Sequence, residues 1–197
     1  MKVNKTMMKE QRIENILLSL KKMDYLTQRQ IQRIHNLGGE RNANRILWEA
    51  RDFLSNFRNG LEKVYYLNKL GRMRVDCEIA RNKTMNIDHF LLRNQLWIHL
   101  KMPHTWTNEV KIIVGDTSII CDAKYITSDK TPVFVEVDIA QPMVKNIKKI
   151  HKYNRFKELT NQKFHVLWVT QLESRRSKLK ELSNGLSSAV YTANDIM

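Results

Sequence analysis

The sequence predicts a mixed protein of class α+β or α/β with two domains, a mainly helical one followed by one built on a sheet. Apolar residues recur at helical spacing through much of residues 10–54, whereas two runs rich in β-branched and aromatic residues, 119–125 and 132–138, flank a polar turn. With 197 residues, 42% of them hydrophobic, the chain is long enough for two small domains and can bury a core. The expected boundaries are 10–75 for the first domain, 76–87 for a linker and 88–197 for the second domain.

The formal charge of the chain is strongly positive. Lys and Arg number 34 against 20 Asp and Glu, which gives +14, and the two sides of residue 80 carry +7 each. A surplus of this size favours a polyanionic partner, because each neutralised phosphate releases bound counterions. We therefore expect double-stranded DNA as the partner, in preference to a basic surface kept only for solubility.

Several classes of function lack their motifs in this sequence. Cys77 and Cys121 form no zinc or disulfide pattern, which fits a reducing cytoplasm. The histidines show no HExxH spacing, and no GxxxxGK[ST] or GxGxxG motif for phosphate binding occurs. No apolar run reaches the roughly 18 residues of a membrane span. We expect a cytoplasmic protein without membrane contact and with no firmly implied cofactor.

The first domain is predicted to contain three helices and a β-ribbon. Thr27 is a suitable N-cap for the second helix, and Gly38-Gly39 forces a turn before the third. Asn59-Gly60 is a turn pair that leads into a strand. The predicted helices span residues 10–22, 27–37 and 40–56, and the predicted strand spans 63–67.

Three helices with a glycine-containing turn before the third, followed by a β-ribbon, are typical of a winged helix-turn-helix whose third helix enters the major groove. Arginine and asparagine side chains read guanine and adenine edges, and the polar start of this helix is rich in both. The alternative is a three-helix unit whose basic face is only solvated. The predicted DNA contacts are Arg41, Asn42, Asn44 and Arg45 on the third helix, and Arg58 and Lys63 on the ribbon.

The second domain is predicted to follow the order αβββαβ, with a trailing helix and strand. Alternating helices and strands predict layers of helix on sheet, and a continuous apolar run predicts a buried central strand. Asp88 is a candidate N-cap for the first helix. The predicted elements are a helix at 88–101, strands at 106–114, 119–125 and 132–138, a helix at 142–159, a strand at 164–169, a helix at 174–184 and an edge strand at 189–191.

The third predicted strand of this domain carries acidic residues where a buried strand should be apolar. Because successive strand residues alternate faces, Glu136 and Asp138 share one side of the sheet. Asp122 on the preceding strand would bring a third carboxylate near them. Like charges at such range raise one another's pKa unless a cation compensates. The pattern therefore indicates a site for a lysine or a metal ion.

This order of elements, with Asp on the second strand and Glu-x-Asp on the third, resembles the restriction-endonuclease-like, or PD-(D/E)XK, nuclease superfamily. With the winged helix joined to it, and with Asp122-Ala123 and residues 134–138 and 149–153, the chain resembles the replication-relaxation family over roughly residues 20–170. That resemblance implies a protein of a plasmid, phage or conjugative element of Gram-positive bacteria, tied to DNA replication or mobilisation. In active superfamily members the Asp and the Glu hold Mg²⁺, and a lysine two residues after the Glu orients the attacking water.

One departure from the nuclease pattern bears on activity, because Asp138 occupies the place of that lysine. Lys149 on the next helix, or Lys152 as second choice, could replace the missing cation. Alternatively, Asp138 joins Asp122 and Glu136 as a third ligand of Mg²⁺, since hard cations accept oxygen ligands. The remaining alternative is an inactive nuclease fold retained for DNA binding or dimerisation.

Three hypotheses follow for the function. The first is a sequence- or structure-directed DNA-binding protein of a mobile element, acting as a replication or mobilisation accessory factor or a transcriptional regulator, with an inactive nuclease-like domain. The alternative is a Mg²⁺-dependent DNA endonuclease that uses Asp122, Glu136 and Asp138, with Lys149. The third is a structural partner of a relaxase, helicase or replication initiator. Winged helices often bind palindromic sites as dimers, so a homodimer is also considered.

Overall fold

The computed structural model describes the backbone of residues 2–197 and the side chains from residue 6 onward. Helices and two separate sheets make this an α+β protein, and the predicted fold class is confirmed. The chain divides into two compact units, residues 1–94 (the N-terminal unit) and residues 95–197 (the C-terminal unit). Among the described helices, none combines the length and the apolar character that crossing a bilayer requires.

The N-terminal unit combines helices with a three-stranded antiparallel sheet. Its elements are α1 (Lys2–Met23), β1 (Leu26–Thr27), α2 (Gln28–Ile34), α3 (Glu40–Glu49), a 3-10 turn (Arg51–Phe53), β2 (Leu54–Asn59), β3 (Glu62–Leu67), α4 (Lys69–Arg74) and the first part of α5 (Ile87–His99). The strand order is β1-β3-β2, so the hairpin of β2 and β3 is extended by the short strand that precedes α2.

The predicted start of the second helix at Thr27 is confirmed. Thr27 Oγ1 accepts a hydrogen bond from the Gln30 N–H at 3.2 Å, and the Gln30 side chain accepts one from the Thr27 N–H at 3.1 Å. This capping box satisfies two backbone donors at once. Gly38 has a φ of +68°, which residues with a Cβ rarely adopt, so the turn between α2 and α3 depends on glycine.

The predicted third helix is wrong beyond Glu49. α3 ends there, a 3-10 turn covers Arg51–Phe53, and the chain then enters β2. Phe53 and Leu54, inside the predicted span of 40–56, therefore lie outside the helix. β2 pairs with β3 along its whole length, and this tertiary pairing overrides an apolar spacing that continues the helical period.

The boundaries of other helices also differ from the prediction. α1 extends almost to the beginning of the chain, where residues 2–9 are polar and show little apolar periodicity. Asp88 is not the cap of α5 but lies in its first turn, and its carboxylate accepts a hydrogen bond from Asn59 Nδ2 at 2.7 Å. The same helix ends at His99 instead of residue 101.

Residues 75–86 contain no helix or strand, yet hydrogen bonds and an ion pair hold this segment against the rest of the N-terminal unit. The Tyr25 O–H donates to a backbone carbonyl of the segment at 2.6 Å, and Arg81 forms an ion pair with Asp24 at 2.8 Å. Asp24 also accepts a hydrogen bond from the fully buried Arg93 at 3.1 Å. The division between the units falls later in the chain than the expected linker, at residues 94 and 95.

The C-terminal unit is a five-stranded sheet with helices packed on it. Its elements are the end of α5, β4 (Thr107–Val114), β5 (Thr117–Ile126), β6 (Pro132–Asp138), α6 (Met143–Thr160), β7 (His165–Thr170), a 3-10 turn (Glu173–Arg175), α7 (Arg176–Leu182), β8 (Ser188–Thr192) and α8 (Ala193–Ile196). The sheet order is β4-β5-β6-β7-β8, antiparallel among β4 to β6 and parallel among β6 to β8. The predicted buried strand and edge strand are confirmed as β7 and β8.

The core of the C-terminal unit lies between one face of the sheet and α6 with α7. Phe134 and Trp168 from the sheet pack with Tyr153 and Phe156 of α6 and Leu179 of α7. β6, the strand with the acidic residues, occupies the middle of the sheet. Its polar side chains on this face are therefore surrounded by protein and have to find their partners there.

Gly71 provides a test of the packing in the N-terminal unit. A Cβ at this position would lie 2.1 Å from the carbonyl oxygen of Phe53. We expect Gly71→Ala to lower the free energy of unfolding by about 2–4 kcal/mol in urea titrations, because the backbone has to move. Gly39→Ala is the control, since a Cβ there meets nothing within 4 Å; it should cost less than about 1 kcal/mol. Equal stability of the two variants would contradict the close approach.

Candidate functional site

The central strand of the C-terminal unit carries two buried carboxylates. Glu136 and Asp138 on β6 are 1% and 0% exposed. They share the face of Phe134, whose ring stacks on Tyr153 of α6 with a centroid distance of 5.7 Å. Both acids therefore face the helix layer.

Glu136 is bound by two donors from α6. Lys149 Nζ donates to Oε2 and forms an ion pair with it, and the Tyr153 O–H donates to Oε1 at 2.7 Å. Lys149 and Tyr153 are four residues apart, so they project from the same face of the helix. Both carboxylate oxygens of Glu136 are thus engaged by the protein.

Asp122 approaches the same lysine from β5. Its Oδ2 lies 3.9 Å from Lys149 Nζ and accepts a hydrogen bond from the Val137 N–H at 2.7 Å. The structure therefore brings together Asp122, Glu136 and Lys149, three of the four side chains expected at this site. The Lys149 ammonium group therefore lies close to the carboxylates of both Asp122 and Glu136.

Two carboxylates face one ammonium group in this buried cluster. Burial raises the pKa of Glu136 to about 8, with Lys149 opposing the shift and Asp122 adding to it. Burial acts to lower the pKa of Lys149, but the two carboxylates outweigh it and the pKa is raised. Burial, reinforced by Glu136, also raises the pKa of Tyr153 well above its usual value. At neutral pH the cluster retains a proton that an exposed glutamate would lose.

Asp138 belongs to a different contact. Arg175, in the 3-10 turn after β7, donates from Nε to Oδ2 at 2.5 Å and from Nη2 to Oδ1 at 2.9 Å. The same Nη2 donates to the Gln141 carbonyl at 2.7 Å. This bidentate pair ties the end of β6 to the loop that leads into α6, and it neutralises the buried carboxylate.

These side chains do not fit a Mg²⁺ ion held by three carboxylates. Asp138 is bound by a guanidinium group, and both oxygens of Glu136 are engaged by Lys149 and Tyr153. Among the residues the structure describes, no group of three His, Cys, Asp or Glu side chains is placed to hold a metal ion. The ligand set of Asp122, Glu136 and Asp138 expected from the sequence is not assembled in this geometry.

A second candidate surface lies on α3. The four side chains expected to contact DNA are exposed there, opposite the buried apolar stripe. Two of them are engaged locally: Arg45 binds Asn42 at 2.9 Å and Glu49 at 2.6 Å, and Asn42 Nδ2 donates to a carbonyl of the preceding turn at 2.7 Å. Arg41 and Asn44 are exposed without side-chain hydrogen bonds in the described part of the chain.

The hairpin of the N-terminal unit presents a pair of cations. Arg58 on β2 and Lys63 on β3 are direct partners across the antiparallel ladder, and both are exposed. Like charges opposite each other on a hairpin are destabilising unless a counter-charge lies nearby. The tip between them is Gly60-Leu61, with Gly60 at a φ of +58°, so the turn lies one residue later than the predicted Asn59-Gly60.

The sequence prediction missed three side chains of these surfaces. Trp48 is 65% exposed on α3, and the Arg51 guanidinium lies 3.9 Å from its ring centroid. Trp48 follows Arg41 by seven residues and Asn44 by four, so helical spacing alone could have identified it. Tyr153 was expected only as a core residue. Arg175 is 37 residues from its partner Asp138, and no local pattern links the two.

The chain is similar to known proteins at two levels. The sequence model of a family described as Replication-relaxation matches residues 17–167, which is well over half of the chain. No curated protein matches the sequence. A solved structure, the crystal structure of protein VC1899 from Vibrio cholerae, is 13% identical with a TM-score of 0.38, and the alignment covers 93% of this chain and 47% of that one. The chain thus spans about half the length of that protein.

The raised pKa of Glu136 predicts how stability depends on pH. The folded chain keeps a proton on Glu136 up to about pH 8, whereas an unperturbed glutamate loses it near 4.5. The contribution of this bound proton to the free energy of unfolding is fully present below about pH 4.5 and is lost as the pH rises through about 8. Relative to Glu136→Gln, the unfolding free energy of the wild type should therefore fall by roughly 1 kcal/mol per pH unit between these limits.

Urea unfolding at pH 5, 6, 7 and 8 measures this difference. Glu158→Gln, on the exposed side of the same helix, is the matched control and should parallel the wild type. A wild type and Glu136→Gln with parallel stability curves would show that burial does not hold the proton on Glu136.

Proposed function

The chain belongs to the replication-relaxation family, and we propose that it is a DNA-binding protein of a mobile element whose nuclease-like unit does not cut. The family suggests a role in replication or mobilisation of such elements. The single observation that carries the DNA-binding part is the exposed Arg and Asn side chains at the start of α3.

The architecture of the N-terminal unit supports a winged helix-turn-helix. α2 and α3 are joined by a tight glycine turn, and a β-hairpin follows α3 and pairs with the short strand before α2. In such domains the third helix enters the major groove and the hairpin lies beside it. α3 is the recognition helix of this proposal, and the β2–β3 hairpin is its wing.

The six predicted DNA contacts, four on the proposed recognition helix and two on the wing, divide into different roles. Arg41 and Asn44 are the candidates for base edges, because bidentate arginine and asparagine contacts discriminate guanine and adenine. Asn42 and Arg45 bind each other and hold each other's side chains on the surface of the helix. Arg58 and Lys63 on the wing are candidates for phosphate, which would supply the counter-charge that their opposed positions need.

The contacts of the acidic residues support an inactive nuclease-like unit. A metal ion at Glu136 would have to displace the hydrogen bonds of Lys149 and Tyr153, and Asp138 would have to leave Arg175. Breaking a buried ion pair typically costs about 3–5 kcal/mol. The cluster fits a structural role, in which it stabilises α6 on the sheet.

A Mg²⁺-dependent endonuclease is the second candidate function, and one observation favours it. Lys149 reaches Glu136 and Asp122 from the helix that follows the acidic strand. A lysine beside the acidic pair is what a nuclease of this superfamily needs to orient water, and here it arrives from a different position in the sequence. In that case Asp122 and Glu136, with or without Asp138, would hold the metal.

The proposal extends to partners. A replication or mobilisation factor acts beside a relaxase, a helicase or a replication initiator, and the same DNA-binding unit would serve a transcriptional regulator. A homodimer on a palindromic site would repeat α3 on each half-site at a spacing of about one helical turn of DNA.

Substitution of the two unengaged α3 residues tests the proposed function. Arg41→Ala/Asn44→Ala should weaken binding to duplex sites selected by the wild type from a random pool by roughly 10²–10⁴-fold, because each base contact is worth about 1–3 kcal/mol. Affinity for unselected duplex should change much less. Fluorescence anisotropy with both duplexes measures the ratio.

The chain offers a matched control for this experiment. Arg12 and Asn15 on α1 have the same residue types, the same spacing and similar exposure. Arg12→Ala/Asn15→Ala should bind selected sites like the wild type. Equal losses in the two double variants would show that α3 does not read the DNA sequence.

A further inference from the structure

The net positive charge of the C-terminal unit lies on one helix. Residues 95–197 carry 15 Lys and Arg against 10 Asp and Glu, and α6 alone carries six against one. The rest of the unit therefore carries nine of each and is neutral. A basic surface kept for solubility would be spread over the unit, so its concentration on α6 indicates a specific anionic partner.

Four of the six cations form a stripe on the outward face of α6. At about 100° per residue they fall within an arc of about 80°, and the first and last are separated by about 15 Å along the axis. All four are exposed, whereas Ile150, Tyr153 and Phe156 point into the core. This surface, the α6 stripe, consists of Lys145, Lys148, Lys152 and Arg155.

The protein itself neutralises little of the α6 stripe. Within the described part of the chain, no ion pair involves Lys145 or Lys148. Lys152 donates to a backbone carbonyl at 2.9 Å, which leaves its charge uncompensated. Only Arg155 has carboxylates near it, Asp116 at 3.8 Å and Glu158 at 3.5 Å, and both pairs are exposed.

We infer that the α6 stripe binds the phosphate backbone of duplex DNA, as a sequence-independent contact separate from the contacts proposed for α3. This inference rests on the proposed function. Lysine side chains act as flexible point charges that suit phosphate oxygens and carry no sequence information. Successive cations at three- and four-residue spacing present a row of such charges along one face.

Two other anionic partners fit the α6 stripe less well. Protein interfaces are depleted of lysine and anchored by aromatic residues, whereas three of the four stripe residues are lysines. Helices that lie in a membrane surface insert an apolar face, but the apolar face of α6 is buried in the core. The phosphate backbone of DNA, which is recognised by charge alone, matches the α6 stripe best.

Neutralisation of the two unpaired lysines tests this contact in the full-length protein. Lys145→Gln/Lys148→Gln should make the negative slope of log affinity against log salt shallower by about 1.8, and weaken binding to random-sequence duplex by tens of fold at 0.1 M salt. Lys111→Gln/Lys180→Gln removes the same charge from exposed positions elsewhere in the unit and should change the slope little. Fluorescence anisotropy between 50 and about 300 mM salt measures both, and circular dichroism checks folding.

The outcomes separate this inference from the proposed function. If the wild type binds duplex and the stripe variant matches the Lys111/Lys180 control, the α6 contact is overturned while DNA binding through α3 stands. A wild type that binds no duplex at any salt overturns both. Loss of binding to phosphatidylserine-containing vesicles in the stripe variant, with duplex affinity unchanged, assigns the stripe to anionic lipid and overturns the DNA contact.

Discussion

Burial of Glu136 beside Lys149 is the constraint on which the C-terminal unit depends. A carboxylate in the middle of a sheet costs several kcal/mol unless donors replace the water it loses. α6 provides both donors, an ammonium and a phenol one turn apart, and thereby fixes the rotation and height of the helix over β6. With that face determined, Ile150 and Phe156 point into the core and the remaining cations of the helix point outward.

α6 therefore has two electrostatic roles on its two sides. Inward, Lys149 binds Glu136 and faces Asp122, and a metal ion at Glu136 would have to displace these contacts. Outward, the α6 stripe presents four of the six cations of the helix. Together with α3 this gives the chain two basic surfaces with different chemistry, one of arginine and asparagine suited to base edges and one of lysine suited to phosphate.

The sequence was sufficient to predict features that depend on neighbouring residues, such as a helix cap, a hairpin turn and the alternation of a strand. Thr27 caps its helix, Gly60 lies in the turn of the hairpin, and the alternation along β6 places Glu136 and Asp138 on one face. Lys149 was expected near these acids from the resemblance to the nuclease pattern, as a replacement for its missing lysine, and it lies beside Glu136.

Features that depend on tertiary pairing were missed. The end of α3 at Glu49 follows from strand pairing between β2 and β3, which local apolar spacing does not reveal. Arg175 follows β7 and binds Asp138 at the end of β6, a contact between distant parts of the sequence. Asp138 therefore has a different cation from Asp122 and Glu136, although all three lie on neighbouring strands.

Incubation of supercoiled plasmid with the purified protein in Mg²⁺, in Mn²⁺ and in EDTA, alongside Glu136→Gln, tests the central claim most directly. The account predicts plasmid that is retarded but intact in every lane, for both proteins. Metal-dependent nicking by the wild type that disappears in Glu136→Gln would contradict it, and would show that Glu136 serves catalysis.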